Sequence, residues 1–218
     1  MRGIQAVLFD CDGVLVDSER ITFDLIATDL AAHGLPLALP QMEALFLGGT
    51  IPGLFAKARA MGATLPDDWT QDIYARLYER LAKGTDLIEG TEALLDRLDA
   101  AGIRYAIGSN GTKQKMQITL GQHPGMLERF RGHIHSGQAL GVPKPDPGLW
   151  LHAAAILGVG PDRCVVIDDS PTGCTAAARA GIRCLGLAEH GDGATLAATG
   201  AEVIHNLADV PARLGLTD

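Results

Sequence analysis

The chain has 218 residues, of which 47% are hydrophobic, so its composition excludes a disordered protein and predicts a well-buried core. Its formal net charge of -8 argues against nucleic acid as the main partner, although a local positive site can still attract a small anion. No apolar run reaches the ~18 residues of a membrane helix and the N-terminus lacks a signal-peptide pattern, so we expect a cytoplasmic protein without a membrane partner.

The first predicted strand, residues 4–9, is followed at once by two aspartates, Asp10 and Asp12. Residues two apart in an extended chain point the same way, so both carboxylates can face one side of the sheet while Cys11 faces the other. The cysteines of the chain form no C-x-x-C motif. We therefore expect buried thiols in a reducing compartment rather than zinc ligands.

Only helical patterns follow, from about residue 17 to residue 84. Apolar spacing and glycine stops predict helices at residues 19–33, 41–47, 52–61 and 67–83. Because these helices separate the first strand from every later strand, they predict an inserted all-helical domain. We expect that domain to span residues 17–84, on a core formed by residues 1–16 and 85–218, with linkers near residues 16–18 and 85–89.

Strands and helices alternate through the rest of the chain. After a helix at residues 91–101, apolar runs predict strands at residues 104–108, 164–167, 184–187 and 202–204. Asp146 and Ser170 are predicted to cap two of the intervening helices, with Pro147 and Pro171 at the first helical positions. This alternation predicts an α/β fold with a doubly wound, Rossmann-like parallel sheet that is covered on both faces.

Polar residues follow three of the predicted strands directly. Asp10 and Asp12 follow the first strand, Ser109 a second, and Asp168 and Asp169 a third. Parallel strands end on one edge of the sheet, where open α/β sheets bind ligands, so we expect these residues to share one crevice. Several carboxylates so close together cannot all stay ionised unaided, and Mg²⁺, which prefers oxygen ligands, would offset their repulsion.

Two further residues are placed to reach the same crevice. Lys144 lies in PKPDP, just before a predicted helix, where its charge can offset the carboxylates. The Ser109 hydroxyl lies beside the start of the next helix, and helix N-termini favour phosphate. Each residue alone is typical of a solvated surface, as each acidic pair alone is typical of loops and helix caps. Their combination predicts phosphate chemistry assisted by Mg²⁺.

Four stretches together resemble the motifs of the haloacid dehalogenase-like hydrolase superfamily, in their order and approximate spacing. They are FDCDGVLVDSE from Phe9, SNG from Ser109, KPDP from Lys144 and IDDSPTG from Ile167. The helical insertion resembles the small helical cap of that superfamily, and the chain is similar to its sugar-phosphate phosphatases related to β-phosphoglucomutase. SNGTKQKMQ followed by GMLERF also resembles bacterial phosphatases of phosphosugars and phosphosugar acids of the 6-phosphogluconate type.

The resemblance implies a phosphomonoester hydrolase that works through an aspartyl-phosphate. Asp10 would be the nucleophile, and Asp12, with its pKa raised by its neighbours, would protonate the leaving alcohol and later deprotonate water. Mg²⁺ would bind Asp10, the backbone carbonyl of Asp12 and Asp169, with Asp168 assisting directly or through water. Dehalogenases share the nucleophile but need neither Asp12 nor the metal, so these residues favour phosphoryl transfer.

Substrate contacts are expected from both parts of the chain. Ser109 and Lys144 would hold the phosphoryl oxygens, with Asn110 beside them. Gly49 and Thr50 of the cap would contact substrate through backbone groups or the Thr50 hydroxyl, although a plain turn between two helices explains them equally well. The expected partner is a small phosphorylated metabolite, and we expect a monomer.

Two alternatives to a phosphatase remain. A phosphosugar mutase of the β-phosphoglucomutase type would carry a histidine where this chain has Thr22, and a cap arginine that LFLGGTIPGLF lacks, so these departures favour hydrolysis. A receiver domain also gathers acidic residues, a hydroxyl and a lysine. Its acceptor aspartate, however, does not lie in a first-strand D-x-D, and it has no helical insertion.

Other residues give weaker signals. His133 and His135 are placed to share one strand face, where they would bind metal or make ordinary hydrogen bonds. Lys113 and Lys115 would steer anions or lie on a solvated helix face. The two tryptophans are expected to be packing residues.

Overall fold

The computed structural model describes residues 3–216, and six parallel strands form its main sheet. In chain order the strands are β1 (Ala6–Phe9), β2 (Val16–Asp17), β3 (Asp86–Leu87), β4 (Arg104–Ser109), β5 (Ile134–Ser136), β6 (Cys164–Asp168), β7 (Arg183–Leu187) and β8 (Glu202–Ile204). The main sheet has the order β5-β4-β1-β6-β7-β8, so β1 lies between β4 and β6. The prediction that the N-terminus lacks a signal-peptide pattern depends in part on residues 1–2, which lie outside the described range.

Helices that follow β3 cover both faces of this sheet. In chain order the helices of the described residues are α1 (Glu19–Ala32), α2 (Leu39–Phe46), α3 (Ile51–Ala60), α4 (Trp69–Leu81), α5 (Thr91–Ala100), α6 (Lys113–Leu120), α7 (Met126–Arg129), α8 (Gly137–Leu140), α9 (Gly148–Leu157), α10 (Pro171–Arg179), α11 (Ala194–Ala197) and α12 (Val210–Leu214). On β1, Val7 and Phe9 enter one hydrophobic core and Ala6 and Leu8 the other, all fully buried. A near-continuous apolar strand covered on both faces is typical of parallel sheets, and the predicted α/β fold class is confirmed.

The helices α1 to α4 share a hydrophobic core of their own. The chain enters this helical segment through β2 and leaves it through β3, and these two strands pair antiparallel. The outgoing and returning segments therefore lie side by side at the positions where linkers are expected. The boundaries of an inserted domain at residues 17–84 stay a prediction.

Local signals placed most elements within one or two residues of their observed bounds. Ser170 caps α10 as predicted, with its side chain accepting a hydrogen bond from Gly173 N at 3.0 Å. The prediction for α9 was wrong by one residue, because Pro147 is the N-cap and the helix begins at Gly148. Asp146 still satisfies the Gly148 amide, at 2.7 Å from its Oδ1 atom.

Residues outside the sequence motifs mostly serve packing. The two tryptophans are fully buried, and the four cysteines are free, buried thiols, as predicted. Within residues 3–216, no helix combines the length and the apolar character needed to cross a bilayer.

One buried carboxylate of the helical segment, Asp29 of α1, has several polar partners. It accepts hydrogen bonds from Trp69 Nε1 at 2.5 Å and from Arg76 Nη1 at 2.5 Å, both on α4, and His33 Nδ1 lies 3.2 Å from it. Burial alone would raise the pKa of Asp29, but Arg76 and Trp69 hold it below its ordinary value. The contact joins α1 to α4 through charge-assisted hydrogen bonds.

We predict that Asp29→Ala lowers the free energy of unfolding by roughly 2–4 kcal/mol, because it leaves the buried indole N–H of Trp69 without a partner. Urea unfolding followed by circular dichroism measures the change. Asp72→Ala is the matched control, since Asp72 is the exposed partner of Arg76 at 3.0 Å, and it should cost less than about 0.5 kcal/mol. Equal effects of the two variants would contradict the prediction.

Candidate active site

The expected crevice lies at the carboxyl ends of β1, β4 and β6. Asp10 follows β1, Ser109 ends β4 and Asp168 ends β6. Carboxylate oxygens of Asp10, Asp168 and Asp169 all lie within 4.8 Å of one another, and these are the residues that can hold a metal ion among those described. The structure thus brings together acidic residues that are more than 150 positions apart in the chain.

Lys144 is the cation at the centre of this cluster. Its side chain is fully buried, and Nζ lies 2.8 Å from Asp10 Oδ2 and 2.8 Å from Asp168 Oδ2. Burial alone would lower the pKa of Lys144, but the two carboxylates raise it above its ordinary value, so the ammonium group stays charged. Its position, predicted from PKPDP, is reached because the loop before α9 brings it under the end of β1.

One lysine does not offset the negative charge of the cluster. Burial, with repulsion from Asp168 and Asp12, raises the pKa of Asp10 to about 7 despite its contact with Lys144. Burial, with repulsion from Glu19, Asp168 and Asp10, raises the pKa of Asp169 well above its ordinary value. A hard divalent cation with oxygen ligands would stabilise both carboxylates in their charged forms. The donor set therefore fits Mg²⁺.

Glu19 belongs to the same site, although the sequence interpretation did not select it. Burial and the charge of Asp12 raise its pKa to about 8, and a hydrogen bond with Asp169 acts in the opposite direction. The available signal was its position at the end of FDCDGVLVDSE, where it opens α1. A glutamate at a helix start is ordinarily a surface residue, so only the fold shows that it meets the strand-end aspartates.

Gly13 allows Asp169 to reach this position. Its φ is +72°, and a Cβ placed on it would lie 2.1 Å from Asp169 Oδ2. Any side chain here would displace the carboxylate as well as strain the backbone. The glycine of the D-x-D-G motif is therefore needed for the close approach of two distant segments.

The surroundings of Asp12 differ from those expected. Its Oδ1 atom accepts from Ser18 Oγ at 2.5 Å and lies 2.8 Å from Lys115 Nζ. Burial alone would raise the pKa of Asp12, but Lys115 and Ser18 hold it below its ordinary value. The expectation that neighbours raise this pKa was wrong, because sequence reasoning did not place Lys115 here.

Lys115 and Lys113 differ in burial. Lys115 is 8% exposed and bound to Asp12, so the solvated helix face is wrong for this residue. Lys113 is exposed, as a solvated face requires. Both lie in the first turn of α6. Because an α-helix turns by about 100° per residue, side chains two positions apart point in very different directions, and Lys115 is the one that points into the crevice.

Asp168 positions Lys144 more than it faces the crevice. It is fully buried, its Oδ1 accepts from Ser170 N at 2.9 Å and Ser170 Oγ at 2.7 Å, and its Oδ2 accepts from Lys144. Both of its oxygens already have hydrogen-bond partners. This arrangement favours an indirect contribution of Asp168 to metal binding over direct ligation.

Asn110 ties three segments together. Its Nδ2 donates to Gly48 O at 2.9 Å and to Lys144 O at 3.0 Å, and its Oδ1 accepts from Lys144 N at 2.8 Å. Its side chain thus positions the lysine loop and the loop between α2 and α3. Ser109, 2% exposed, accepts from Gly111 N at 2.9 Å and retains its hydroxyl proton for another acceptor.

The helical segment closes the cavity above these residues. Gly49 and Thr50 line the cavity together with Asp10, Asp12 and Ser109. Thr50 also caps α3, because its Oγ1 accepts a hydrogen bond from Gly53 N at 3.1 Å. Gly49 and Thr50 therefore form a turn between two helices and also line the cavity. Substrate contact by Gly49 and Thr50 stays a prediction.

A second link joins the helical segment to the strand ends. Tyr74 OH donates to Gln138 Oε1 at 3.1 Å, and Gln138 Nε2 donates to Asn110 O at 2.6 Å. Tyr74 and Gln138 line the cavity, and sequence reasoning selected neither. Neither residue belongs to a recognisable motif, so only the tertiary structure could identify them.

The histidine alternative receives no support as a metal site. His135 lies buried in β5 with its ring edge-to-face against His152 at 4.8 Å. Burial, with His152 nearby, lowers the pKa of His135 to about 4. Neither His133 nor His135 joins a three-residue ligand group within the part of the chain that the structure describes.

Comparison with known proteins gives consistent matches. The haloacid dehalogenase-like hydrolase family matches residues 4–181. A 6-phosphogluconate phosphatase of Escherichia coli is 33% identical over 84% of this chain and 81% of its own length. A phosphoglycolate phosphatase of Xanthomonas campestris is 31% identical over 84% of this chain and 82% of its own length. A crystal structure of a HAD family hydrolase from Deinococcus radiodurans with bound phosphate and sodium has a TM-score of 0.77 and 34% identity, covering 99% of this chain and 98% of that one.

We predict that Gly13→Ala weakens Mg²⁺ binding at least about tenfold, because the added methyl group displaces the Asp169 carboxylate. Isothermal titration calorimetry with MgCl₂ measures the affinity. Gly102→Ala is the matched control: Gly102 has a similar φ of +66° but nothing within 4 Å of the added Cβ. The two variants share the backbone strain, so equal Mg²⁺ affinities in both would rule out the proposed contact with Asp169.

Proposed function

This chain belongs to the haloacid dehalogenase-like hydrolase family, and we propose that it is a Mg²⁺-dependent phosphatase acting on a small phosphorylated metabolite through a phosphorylated Asp10. The observation that carries the proposal is the buried contact of Lys144 with Asp10 and Asp168, beside the excess negative charge of Asp169. Such an arrangement binds a transferring phosphoryl group only when cations are present. The phosphatase names of the relatives and the phosphate in the related crystal structure support the assignment.

Asp10 is placed for nucleophilic attack on phosphorus. It directly follows the central strand β1 and lines the cavity. Its Oδ2 atom is held by Lys144 at 2.8 Å, and its Oδ1 atom accepts one hydrogen bond, from Cys11 N at 2.6 Å, which leaves a second lone pair on Oδ1 for attack. In the first step a bond forms between that oxygen and phosphorus as the bond to the leaving alcohol breaks. In the second step water attacks phosphorus and Asp10 leaves, so that phosphate is released and the carboxylate is restored.

Asp12 moves the proton in both steps. It protonates the leaving alcohol oxygen in the first step and takes a proton from water in the second. In the substrate-free site Lys115 and Ser18 favour its ionised form. A dianionic phosphoryl group beside Asp12 adds negative charge and raises its proton affinity, so substrate binding is the event that loads the proton.

Asp10, Asp169 and the backbone carbonyl of Asp12 would hold the magnesium ion, with Asp168 acting indirectly through Lys144. When bound, Mg²⁺ supplies positive charge that offsets the charge on the phosphoryl oxygens. Lys144, which lies 2.8 Å from Asp10, and the Ser109 hydroxyl, which lines the cavity, orient those oxygens for in-line attack.

The helical segment limits the access of water. Two hydrogen bonds join it to the strand-end loops over Asp10: Asn110 Nδ2 donates to Gly48 O, and Tyr74 OH donates to Gln138 Oε1. Excluding bulk water strengthens the electrostatic interactions in the site. The mutase alternative is disfavoured because Thr22, rather than a histidine, lines the cavity.

We predict that Asp10→Asn reduces phosphate release by at least about 10³-fold while the fold is retained, because an amide is a poor nucleophile. Acid quenching with a ³²P-labelled phosphomonoester should label the wild-type protein and leave this variant unlabelled. Asp17→Asn, which changes an exposed aspartate of β2, is the control and should keep wild-type turnover. Normal turnover by Asp10→Asn would end the nucleophile assignment.

We also predict that excess EDTA abolishes phosphate release and that added Mg²⁺ restores it, since the acidic cluster carries more charge than Lys144 offsets. A dialysed enzyme assayed across a Mg²⁺ titration provides the measurement, with Na⁺ at equal ionic strength as the control. Full activity in excess EDTA would remove the metal from the mechanism.

A further inference from the structure

The helical segment gives the cavity an apolar wall. Six hydrophobic side chains of the helical segment line it: Phe23, Ile26, Phe46, Ile51, Leu54 and Leu77. Five of them belong to the buried core that α1 to α4 share, and Ile51 packs against that core. The wall is thus fixed by packing, and it faces the position that the leaving alcohol of a substrate must occupy.

Cations are scarce in this cavity. Among the described residues that line it, Lys115 is the one cation, and Asp12 already pairs with it at 2.8 Å. Three acidic residues, Asp10, Asp12 and Glu19, line the same cavity. A second negative charge on the substrate would therefore meet acidic groups or an apolar wall instead of a positive partner.

Three basic side chains of α3 and α4 are engaged elsewhere, and Arg20 of α1 lines a neighbouring cavity. Arg76 pairs with Asp29 and Asp72, and Arg59 pairs with Asp67. Lys57 is exposed, and its Nζ donates to Leu45 O at 2.8 Å. None of these three lines the cavity.

The polar groups opposite the phosphoryl end are neutral. Thr22, Thr50, Tyr74 and Gln138 line the cavity and offer hydroxyl and amide groups. Such groups recognise hydroxyls or amides of an uncharged ligand. Burying an unpaired phosphate or carboxylate against this wall costs several kcal/mol of lost hydration.

We infer that the substrate is a phosphomonoester whose leaving alcohol is uncharged and presents an apolar face, without a second phosphate or a carboxylate. This inference rests on the proposed phosphatase function and narrows its substrate class. One relative is named for 6-phosphogluconate, a substrate that carries a carboxylate. The inferred substrate class sets this chain apart from that relative. Sugar-acid phosphates, one of the classes expected from the resemblance, are thereby disfavoured.

Matched substrate pairs test the inference. Phenyl phosphate is compared with 4-carboxyphenyl phosphate, and glucose 6-phosphate with 6-phosphogluconate, each with Mg²⁺. We expect kcat/KM to be at least about tenfold higher for the neutral member of each pair. Equal or higher kcat/KM for the anionic members would overturn the inference.

A variant pair tests the role of the wall itself. Ile51→Arg introduces a cation at a half-buried wall position, and Ile51→Gln changes the same position without charge. The arginine variant should lower the preference for the neutral members at least about tenfold relative to the glutamine variant. An unchanged preference in a folded arginine variant, checked by circular dichroism, would show that this wall does not select the substrate.

Binding measurements separate this inference from the proposed function. If none of the four compounds is hydrolysed with Mg²⁺, the phosphatase assignment fails. Calorimetric binding of the same compounds to Asp10→Asn still ranks them, and tighter binding of the anionic members would overturn the inference independently of turnover.

Discussion

The structure depends on an imbalance of charge at the end of its central strand. Asp10, Asp168 and Asp169 converge on a buried site whose central cation is Lys144. The charge that remains appears as raised pKa values for Asp10 and Asp169. A divalent cation would offset this charge, so the same electrostatic constraint underlies both the proposed metal site and the proposed phosphoryl chemistry.

The parallel sheet makes this concentration of charge possible. Its strands end on one edge, and their buried faces fix the positions of the loops that follow. Asn110 then uses all of its side-chain hydrogen bonds to hold the Lys144 loop and the loop at Gly48. The site is therefore rigid where charges must be held and is connected to the helical segment by a few polar contacts.

The helical segment has a different task from the sheet. Its core is maintained by packing and by the Asp29 contacts, and the face that it turns to the cavity is mostly apolar. Chemistry and selection are thus divided between two sets of elements. In the proposed function, the sheet edge would bind what all phosphomonoesters share and the helices would contact the part in which they differ, consistent with relatives that are named for different substrates.

The sequence by itself determined the fold class and the principal acidic residues. Apolar strands, glycines at helix ends and the motifs around Asp10, Ser109, Lys144 and Asp168 are local patterns, so they can be recognised in the sequence alone. Only the tertiary structure decided the contacts of Glu19, Lys115 and Gln138, since the first two are charged residues at helix starts, which are ordinarily solvated, and Gln138 belongs to no motif. The pKa of Asp12 was mispredicted for the same reason: a pKa depends on which charges are neighbours in space, and the sequence does not give the rotation of α6 that brings Lys115 to Asp12.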